Sequence, residues 1–339
     1  MTNFQPNLSH IYLEKGTEDY PMSQLALSKF PKAKLIKIDH YKDIFNRTGQ
    51  DFQIQKSSMK LILAKKRKPY LYPASDMVQE YGTPNTFYNT PILNCLYNCD
   101  YCFLQGMYPS GNLVVFVNED DFFYSITNKL KKLNNPSEPM IVSISYNTDL
   151  MAMENIIPMV SRWIEFAREQ ENLKIEIRTK SALFSSLKDI QPTEKVILSW
   201  TLSPQEICEK YEATAPPLHL RLKSLKHALE SGWPVRLCID PVLFVNGWEE
   251  IYGRFIDMVF QEIKGEQLLD VTLGVFRMNK DYFKRIKKRE TRSDLFYSDY
   301  ALESNTVTVP INQRRPALSH LKNRIANHIP INRILIWGQ

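Results

Sequence analysis

The sequence predicts an α/β protein built on a partial (β/α)6 barrel of the TIM type, with an N-terminal α/β extension and a C-terminal hairpin and helix extension. First, apolar runs alternate with amphipathic segments over 86–280, which is typical of parallel strands joined by right-handed helical crossovers. Second, six such units are too few for a closed eight-stranded barrel. Third, the alternation is missing from 1–85 and 281–339. We therefore expect these two segments to be extensions, and the C-terminal one is a candidate for nucleic-acid contact.

The N-terminal extension mixes short apolar runs with polar breaks. Residues 25–30 have a helical pattern, whereas 33–38 and 60–64 have the pattern of strands. One helix between or beside two strands is consistent with a small α/β layer that precedes the barrel.

Strands and helices alternate in the predicted barrel. The strands are expected at 87–94, 140–146, 173–179, 195–202, 234–240 and 269–276. The amphipathic helices are expected at 119–133, 152–170, 183–189, 204–211, 217–231 and 247–264. After residue 280 the alternation stops. A basic and aromatic stretch at 286–300 precedes an expected strand at 306–309 and a final helix at 316–327.

The composition is that of an ordinary globular protein, with 43% hydrophobic and 24% charged residues. The formal net charge of +6 fits a polyanionic partner without requiring one. No apolar run approaches the length of a membrane span, and the N-terminus lacks the basic-then-apolar pattern of a secretion signal. Five cysteines, three of them clustered, favour a metal site in a reducing compartment over a disulfide framework. We therefore expect a cytoplasmic protein with no membrane association.

The clustered cysteines are Cys95, Cys99 and Cys102, in the spacing C-x3-C-x2-C. Thiolates this close commonly share a metal. A structural zinc ion takes four protein ligands, and the nearest upstream histidine, His40, is far away in the sequence. An iron–sulfur cluster can be held by three thiolates, with one iron open to a small molecule. The cysteines also follow the first predicted barrel strand, at the end of the sheet where active sites form. The spacing therefore predicts an open cluster, with a structural metal as the alternative.

The cysteine segment NCLYNCDYCFLQG resembles the signature of the radical S-adenosylmethionine superfamily, including the aromatic Tyr101 two positions after Cys99. Over nearly its whole length the chain also resembles the spore photoproduct lyase family. The further segments that carry this resemblance are NLVVFVNEDDFF, RTK at 178–180, LSWTL at 198–202, KYEATAPPLHLRL at 210–222 and GWEE at 247–250. The family fold is a partial (β/α)6 barrel with additions at both ends, which matches the pattern described above.

The resemblance implies a 4Fe-4S cluster on the three cysteines and S-adenosylmethionine at its open iron. It matches Lys180 to a lysine that meets the carboxylate of this cofactor, for which an ammonium is a suitable partner. Thr148 and Thr201 match serines near the cofactor, and both keep a hydroxyl. Asp149 also matches the family segment, but an aspartate before a predicted helix can equally be its N-cap. Both interpretations of Asp149 stay open.

The family reaction implies a hydrogen donor that this chain lacks. Enzymes of the family repair thymine dimers in spore DNA by hydrogen abstraction, and a cysteine thiol returns a hydrogen to the product radical. The matching position here is Tyr146, or Ser145 if the match shifts by one residue. A tyrosine near that thiol is replaced by Phe103, although Tyr101 remains. Either another residue donates the hydrogen, or the chemistry differs.

Cys238 is one candidate for the missing donor. In the predicted strand at 234–240, alternation places Arg236, Cys238 and Asp240 on one face, which we expect to point into the mouth of the barrel. Tyr146 is the other candidate, as a donor or a relay. The alternatives are that Cys238 fills space as a small buried thiol and that Tyr146 packs as an ordinary aromatic side chain.

Two further features are expected to support the site. Glu212 and Arg221 are predicted to pair across the break at Pro216–Pro217 and to brace a loop, with direct contact to the substrate as the alternative. The basic and aromatic runs at 65–73 and 286–300 combine phosphate-binding cations with rings that can stack. That mixture suits nucleic acid, although each run alone can also be solvated surface.

The sequence thus predicts a radical S-adenosylmethionine lyase that repairs a thymine-dimer-type lesion in DNA, with electrons from a donor such as flavodoxin or ferredoxin. One alternative keeps the cofactor chemistry but acts on another modified nucleic acid or a peptide, because the donor cysteine is replaced. The other alternative is a non-catalytic nucleic-acid-binding protein whose cysteines hold a structural metal.

Overall fold

The structure is a computed structural model that describes residues 8–74, 84–133, 138–289 and 292–337. The strands in these ranges form sheets of five, eight and three strands. In chain order the strands are β1 His10–Glu14, β2 Lys34–Ile38, β3 Leu61–Ala64, β4 Tyr72–Pro73, β5 Thr86–Tyr88, β6 Ile92–Leu93, β7 Leu113–Phe116, β8 Met140–Ser143, β9 Leu173–Thr179, β10 Val196–Thr201, β11 Val235–Val242, β12 Asp270–Val275, β13 Arg277–Asn279, β14 Ala301–Glu303, β15 Thr306–Thr308 and β16 Ile334–Ile336.

Most of the α-helices lie between barrel strands in the order of the chain. In chain order they are α1 Pro21–Lys29, α2 Lys42–Phe45, α3 Phe52–Ser57, α4 Leu104–Met107, α5 Glu119–Leu130, α6 Leu150–Met153, α7 Met159–Glu169, α8 Gln205–Tyr211, α9 Leu218–Glu230, α10 Trp248–Glu262, α11 Lys280–Arg289 and α12 Ile311–Ala326. Among the helices of the described ranges, none combines the length and the apolar character needed to span a bilayer.

The eight-stranded sheet is the predicted partial barrel. Its order is β16-β12-β11-β10-β9-β8-β5-β4, and every neighbouring pair is parallel except β4 and β5. Strand β10, with the sequence VILSWT, is buried along its whole length, as expected for a parallel strand covered on both faces. Strands β5 and β8 to β12 are the six predicted barrel strands, so the (β/α)6 half-barrel is confirmed. Strand β16 adds a parallel edge strand that the sequence pattern does not predict.

The five-stranded sheet has the order β2-β1-β3-β7-β6, with the fully buried β3 at its centre. The predicted helix at 25–30 and the predicted strands at 33–38 and 60–64 are confirmed as α1, β2 and β3. Strands β1 and β7 are not among the predicted elements. Because β6 and β7 belong to this sheet, it includes chain from beyond residue 85.

The prediction of a single strand at 87–94 is wrong. Strand β5 pairs with β8 in the barrel, whereas β6 pairs with β7 in the five-stranded sheet. Pro91 lies between them and has no N–H to offer to a ladder, so the chain leaves one sheet before it joins the other. The cysteines that follow β6 are therefore placed where the two sheets adjoin.

Two predicted barrel helices differ from the observed ones. The expected helix at 152–170 is divided into α6 and α7, because Pro158 interrupts it and lies at the N-cap of α7. The expected helix at 183–189 is a single 3-10 turn at 184–187. Neither change alters the order of the barrel strands.

The C-terminal extension contains the predicted hairpin and helix. Strands β14 and β15 form the hairpin, and β13 extends it to an antiparallel sheet. Helix α12 begins at Ile311, before the predicted start, and encloses Pro316. Helix α11 occupies a stretch for which no helix is predicted. Its apolar face is short, with Tyr282, Phe283 and Ile286 packed against the core, and the basic residues around them hide this pattern in the sequence.

The interior of the barrel holds a buried charge network. Arg236 on β11 forms a bidentate ion pair with Asp270 on β12, with N–O distances of 2.5 and 2.7 Å. A third nitrogen of Arg236 lies 3.3 Å from Glu176 on β9, which also accepts a hydrogen bond from Ser199 on β10. Buried carboxylates are stable when they are paired, so this network fixes the relative positions of β9 to β12.

Arg236→Met is expected to lower the free energy of unfolding by about 3–5 kcal/mol, because it removes a cation from two buried carboxylates. The control is Arg254→Met, which removes an exposed ion pair with Glu250 and should cost less than about 1 kcal/mol. Urea unfolding followed by circular dichroism measures both values. Equal losses in the two variants would contradict a structural role for the network.

Candidate active site

The three predicted cluster cysteines lie in the loop between β6 and β7. Asn94 starts this loop with a φ of 73°, in the left-handed region that asparagine tolerates better than most residues. Its side-chain amide donates to the carbonyl oxygens of Ser110 at 2.7 Å and Asn112 at 3.1 Å. These bonds close the base of the loop, so the three thiols belong to one short segment whose ends are held together.

Helix α3 holds the cysteine loop from the N-terminal extension. The ammonium of Lys56 donates to the carbonyl oxygens of Cys95 and Tyr97, the latter at 3.1 Å. The side chain of Asn98 donates to Gln53 on the same helix at 2.8 Å. Lys56 and Gln53 are site residues that the sequence pattern does not reveal, because nothing in their own segment links it to the cysteines.

Helix α11 holds the same loop from the C-terminal extension. Arg285 donates to the carbonyl oxygen of Gly106 at 3.1 Å, and Arg289 donates to that of Gln105 at 2.9 Å. Helices α4 and α11 approach closely at Gly106, where an added Cβ would lie 2.5 Å from the carbonyl oxygen of Tyr282. A side chain at position 106 would therefore force the two helices apart.

The three thiols lie in a buried environment. Burial raises the pKa of Cys95 to about 12 and also raises those of Cys99 and Cys102, so a bound metal must displace the protons. The three thiols interact electrostatically with one another, so the loop brings them together. Three thiolates are a donor set that can hold an iron–sulfur cluster and leave one iron open to a small molecule.

Lys180 follows β9 and lies within a buried cluster around Glu212. Its ammonium is 3.9 Å from a carboxylate oxygen of Glu212 and 4.9 Å from the ring centre of Tyr101. The hydroxyl groups of Tyr101 and Ser203 donate to that oxygen, the latter at 3.0 Å. Arg221 pairs with the other oxygen at 2.5 Å, and both charged side chains are fully buried. The predicted pairing of Glu212 and Arg221 is confirmed, and it connects the cysteine loop to the strand before Lys180.

The other residues matched to the cofactor lie near Lys180. Asp149 accepts from the backbone N–H of Ala152 at 3.1 Å, as the N-cap of α6, and from that of Lys180 at 2.7 Å. The capping interpretation of Asp149 is thus confirmed, and its carboxylate also fixes the backbone at Lys180. Thr148 has a buried hydroxyl with no hydrogen-bond partner among the described residues, which leaves it available to an added group. Thr201 ends β10, the neighbour of β9.

A cavity of about 390 Å³ adjoins the cysteine loop at the carboxyl ends of the barrel strands. Its lining includes Tyr101, Cys102 and Phe103 from that loop, and Tyr146 from the chain after β8. The ring of Tyr146 stacks on that of Tyr88, which also lines the cavity, with centroids 4.2 Å apart. Burial raises the pKa of Tyr146 to about 12, so its phenol keeps the proton at neutral pH.

Charged side chains form another part of the cavity wall. Arg277 makes a bidentate ion pair with Asp240, at 2.7 and 3.1 Å. Arg178 lies 3.5 Å from Asp240 and 3.6 Å from Glu176. Burial raises the pKa of Asp240, but the two arginines outweigh it and hold that pKa below its ordinary value. Asp240 belongs to the face that the sequence predicts to point into the mouth of the barrel. Arg178, Glu176 and Arg277 are missing from the predicted site, although the alternation of Glu176 and Arg178 on β9 is a signal that could have identified an inward polar face.

Cys238 does not line this cavity. Alternation along β11 correctly groups it with Arg236 and Asp240. Its thiol is fully buried and lies deeper in the barrel, where it interacts electrostatically with Glu176 and Arg178. Burial raises the pKa of this thiol. A role for Cys238 as the hydrogen donor therefore stays a prediction, because strand alternation indicates the face on which a residue lies but not its depth in the barrel.

Comparison with known proteins agrees with these features. The family model for spore photoproduct lyase matches residues 4–304. The chain belongs to this family. The spore photoproduct lyases of Bacillus subtilis (strain 168) and Geobacillus sp. (strain Y412MC61) are each 20% identical to it, over 86% and 87% of this chain and 84% and 85% of their own lengths.

Solved structures of spore photoproduct lyase share the fold. A cysteine-to-serine mutant superposes with a TM-score of 0.82 at 18% identity, covering 99% of both chains. A double mutant with bound S-adenosylmethionine and dinucleoside spore photoproduct gives 0.78 at 17% identity, again over 99% of both chains. Spore photoproduct lyases are radical S-adenosylmethionine enzymes, so the predicted family, enzyme class and cofactor pair are confirmed.

Lys56→Met is expected to speed the loss of iron from the reconstituted protein about tenfold, because a charged donor to the loop carbonyls contributes about 1.5–3 kcal/mol. Lys34→Met, at an exposed position of β2, is the control and should release iron like the wild type. Anaerobic transfer of iron to a chelator gives both rates. Identical rates in the two variants would contradict a role for Lys56 in holding the loop.

Proposed function

We propose that this protein is a radical S-adenosylmethionine lyase that repairs a thymine-dimer-type lesion in DNA by hydrogen abstraction and carbon–carbon scission. The observation that carries the proposal is the shared cavity, whose wall includes both the cysteine loop and a chamber of aromatic rings and arginines. Because Cys102 belongs to that wall, chemistry that starts at the cysteine loop has direct access to a base held between the rings.

The residues of the cofactor site fit the group that the family binds. When bound, the 4Fe-4S cluster and S-adenosylmethionine together supply a hydrogen-abstracting radical. The three loop cysteines would hold the cluster. Lys180 would pair with the cofactor carboxylate, since its 3.9 Å contact with Glu212 is longer than a hydrogen bond and leaves the ammonium able to take a closer partner. The buried hydroxyl of Thr148 and that of Thr201 would bind further polar groups of the cofactor.

The cavity suits a nucleobase lesion. Tyr88, Tyr146 and Phe103 lie in its wall and offer faces on which bases can stack. A dimer would have to leave the duplex to reach them, at a cost of about a few kcal/mol in unstacking that is smaller for a damaged pair. The two arginines of the wall offer fixed guanidinium groups to the carbonyl oxygens of the bases.

Basic segments adjoin the cavity on two elements. The run at 65–73 reaches it through β4, which pairs with the cavity strand β5. Helix α11 reaches it through Tyr282 and carries the exposed residues Lys284 and Lys288. These cations support phosphate contacts on either side of a lesion. The predicted run at 286–300 overlaps α11, and its residues 290 and 291 lie outside the described ranges.

Tyr146 is our candidate for the hydrogen donor in place of the family cysteine. It lines the cavity and keeps its phenolic proton, whereas Cys238 lies outside the cavity lining. In the proposed step the product carbon radical takes the hydrogen atom of the phenol. A C–H bond forms on the product, the O–H bond breaks, and a phenoxyl radical remains on Tyr146. Tyr101 instead donates to Glu212, which supports a role in positioning.

The electron donor and the cellular location stay predictions. A flavodoxin or ferredoxin is the class of protein that could reduce such a cluster. All five cysteines are free thiols, which supports a reducing compartment such as the cytoplasm.

The function is tested by anaerobic reconstitution, followed by dithionite, S-adenosylmethionine and dinucleoside spore photoproduct. We expect 5′-deoxyadenosine and repaired thymine product from the wild type, and neither from Cys99→Ala. Formation of 5′-deoxyadenosine that is stimulated by another nucleic acid or by a peptide, with the photoproduct unchanged, would instead support the alternative substrate. Bound iron without any cofactor cleavage would support a structural metal.

Lys180→Met is expected to weaken the binding of S-adenosylmethionine about 30-fold or more, because loss of a largely buried charge partner costs about 2–5 kcal/mol. The control is Lys174→Met, at the other end of the same strand, which should bind like the wild type. Equilibrium dialysis of the cluster-loaded variants measures the affinity, and their iron content shows that the cluster is retained. Unchanged affinity in Lys180→Met would remove this lysine from the cofactor site.

A further inference from the structure

A second cavity, of about 700 Å³, adjoins the cavity assigned to the lesion. This flanking cavity shares Met107 and Tyr282 with it, so the two are contiguous at these side chains. Most of its remaining lining comes from residues at the ends of α2, from the chain at α4 and from Arg285 and Arg289 of α11. A strand that fills the first cavity therefore has a neighbouring space in which to continue.

The two arginines make the flanking cavity positive. Arg285 and Arg289 lie about one turn apart on α11, and Nη1 of each donates to backbone carbonyl oxygens of the chain after the cysteines, at distances between 2.9 and 3.3 Å. Among the described residues neither arginine forms an ion pair, and Asp51 acts on Arg289 only from beyond ion-pair distance. Since a guanidinium has five N–H donors, each arginine keeps donors for an anion.

The two guanidinium groups also repel each other. Burial lowers the pKa of Arg289, and the charge of Arg285 lowers it further. An anion between them would relieve this repulsion, and a phosphate has the oxygen geometry that a guanidinium binds with two parallel hydrogen bonds.

Aromatic rings supply another part of the wall. Tyr41 and Tyr282 are partly exposed there, whereas Phe45 and Tyr108 are buried and pack edge to face with centroids 5.2 Å apart. The guanidinium of Arg285 lies 5.8 Å from the ring centre of Tyr282. Cations beside rings that can stack are the combination with which proteins bind single-stranded nucleic acid.

We propose that the flanking cavity binds the nucleotide next to the lesion on the same DNA strand, with its phosphate on Arg285 and Arg289 and its base against the ring of Tyr41. The inference rests on the proposed function, which assigns the adjoining cavity to the lesion. The strand passes from one cavity to the other beside Met107 and Tyr282. The preferred substrate is therefore a lesion within a longer strand and not an isolated dinucleoside.

Bracing of the cysteine loop is the competing explanation for Arg285, and glutamine at this position separates the two. Glutamine keeps N–H donors for the carbonyl oxygen of Gly106 but carries no charge. Arg254→Gln is the matched control, because it removes the same charge from an exposed position of α10 that lies outside the lining of both cavities.

The experiment measures the binding of two probes to cluster-loaded protein with S-adenosylmethionine and without reductant. One probe is the dinucleoside spore photoproduct, and the other is a single-stranded octanucleotide that contains the same lesion. Competition against a fluorescent octanucleotide, followed by anisotropy, gives both affinities, and the iron content confirms that each variant is loaded.

In Arg285→Gln we expect about a tenfold loss of affinity for the octanucleotide and no loss for the dinucleoside, because the dinucleoside has no phosphate to place in the flanking cavity. The slope of log affinity against log salt concentration should fall by about 0.7, which corresponds to one phosphate contact on a single strand. Arg254→Gln should bind both probes like the wild type.

Position 41 tests the place of the base. Tyr41→Leu should weaken binding of the octanucleotide about fivefold or more, whereas Tyr41→Phe keeps the ring and should bind like the wild type. Neither variant should change the affinity for the dinucleoside. Wild-type binding of the octanucleotide by Tyr41→Leu would contradict stacking on this ring.

Equal octanucleotide affinities in Arg285→Gln and the wild type would overturn the flanking site. An equal loss for both probes would also overturn it, in favour of bracing of the loop. If the wild type forms no thymine product from either probe once dithionite is added, the proposed function fails and the flanking site fails with it. That result is distinct from repair of both probes by a wild type that Arg285→Gln matches in affinity, which overturns the flanking site alone.

Discussion

The ion pair between Glu212 and Arg221 is the interaction on which the geometry of the site depends. Both side chains are fully buried, and burial of two charges costs free energy that is recovered through close pairing and additional donors. Here those partners come from separate parts of the chain, because Tyr101 belongs to the cysteine loop and Ser203 follows β10. The pair therefore holds the cysteine loop, the end of β9 and the start of α9 in one arrangement, and Lys180 lies within it.

The cysteine loop is held by elements outside the barrel as well. Lys56 in the N-terminal extension and Arg285 and Arg289 in α11 bind carbonyl oxygens of the loop or of the helix that follows it. The barrel strands supply the residues for the cofactor, and the two extensions supply the supports for the thiols. The cysteine loop connects two strands of the five-stranded sheet, and the barrel contributes the other residues matched to the cofactor.

Long periodic patterns made the barrel predictable, whereas contacts between distant segments could not be predicted from the sequence. Strand and helix alternation located the six barrel strands, and the spacing of three cysteines located the loop. Strand β7 was missed although its apolar run LVVF resembles that of the predicted β3, and such a run is consistent with a buried strand. Helix α11 was missed because its three core-facing residues lie among basic ones. Lys56 and Tyr88 reach the site only through the tertiary fold, and no pattern in their own segments indicates this. Cys238 shows a related limit, since residue alternation carries no information on depth.

Helix α11 contacts both the cavity and the chain that follows the cysteines. It lines the cavity with Tyr282 near its start and binds the chain after the cysteines with Arg289 at its end, and Gly106 leaves no gap between it and α4. One continuous helix therefore supports both the wall of the cavity and the chain that follows the thiols, so the two regions have a structural element in common.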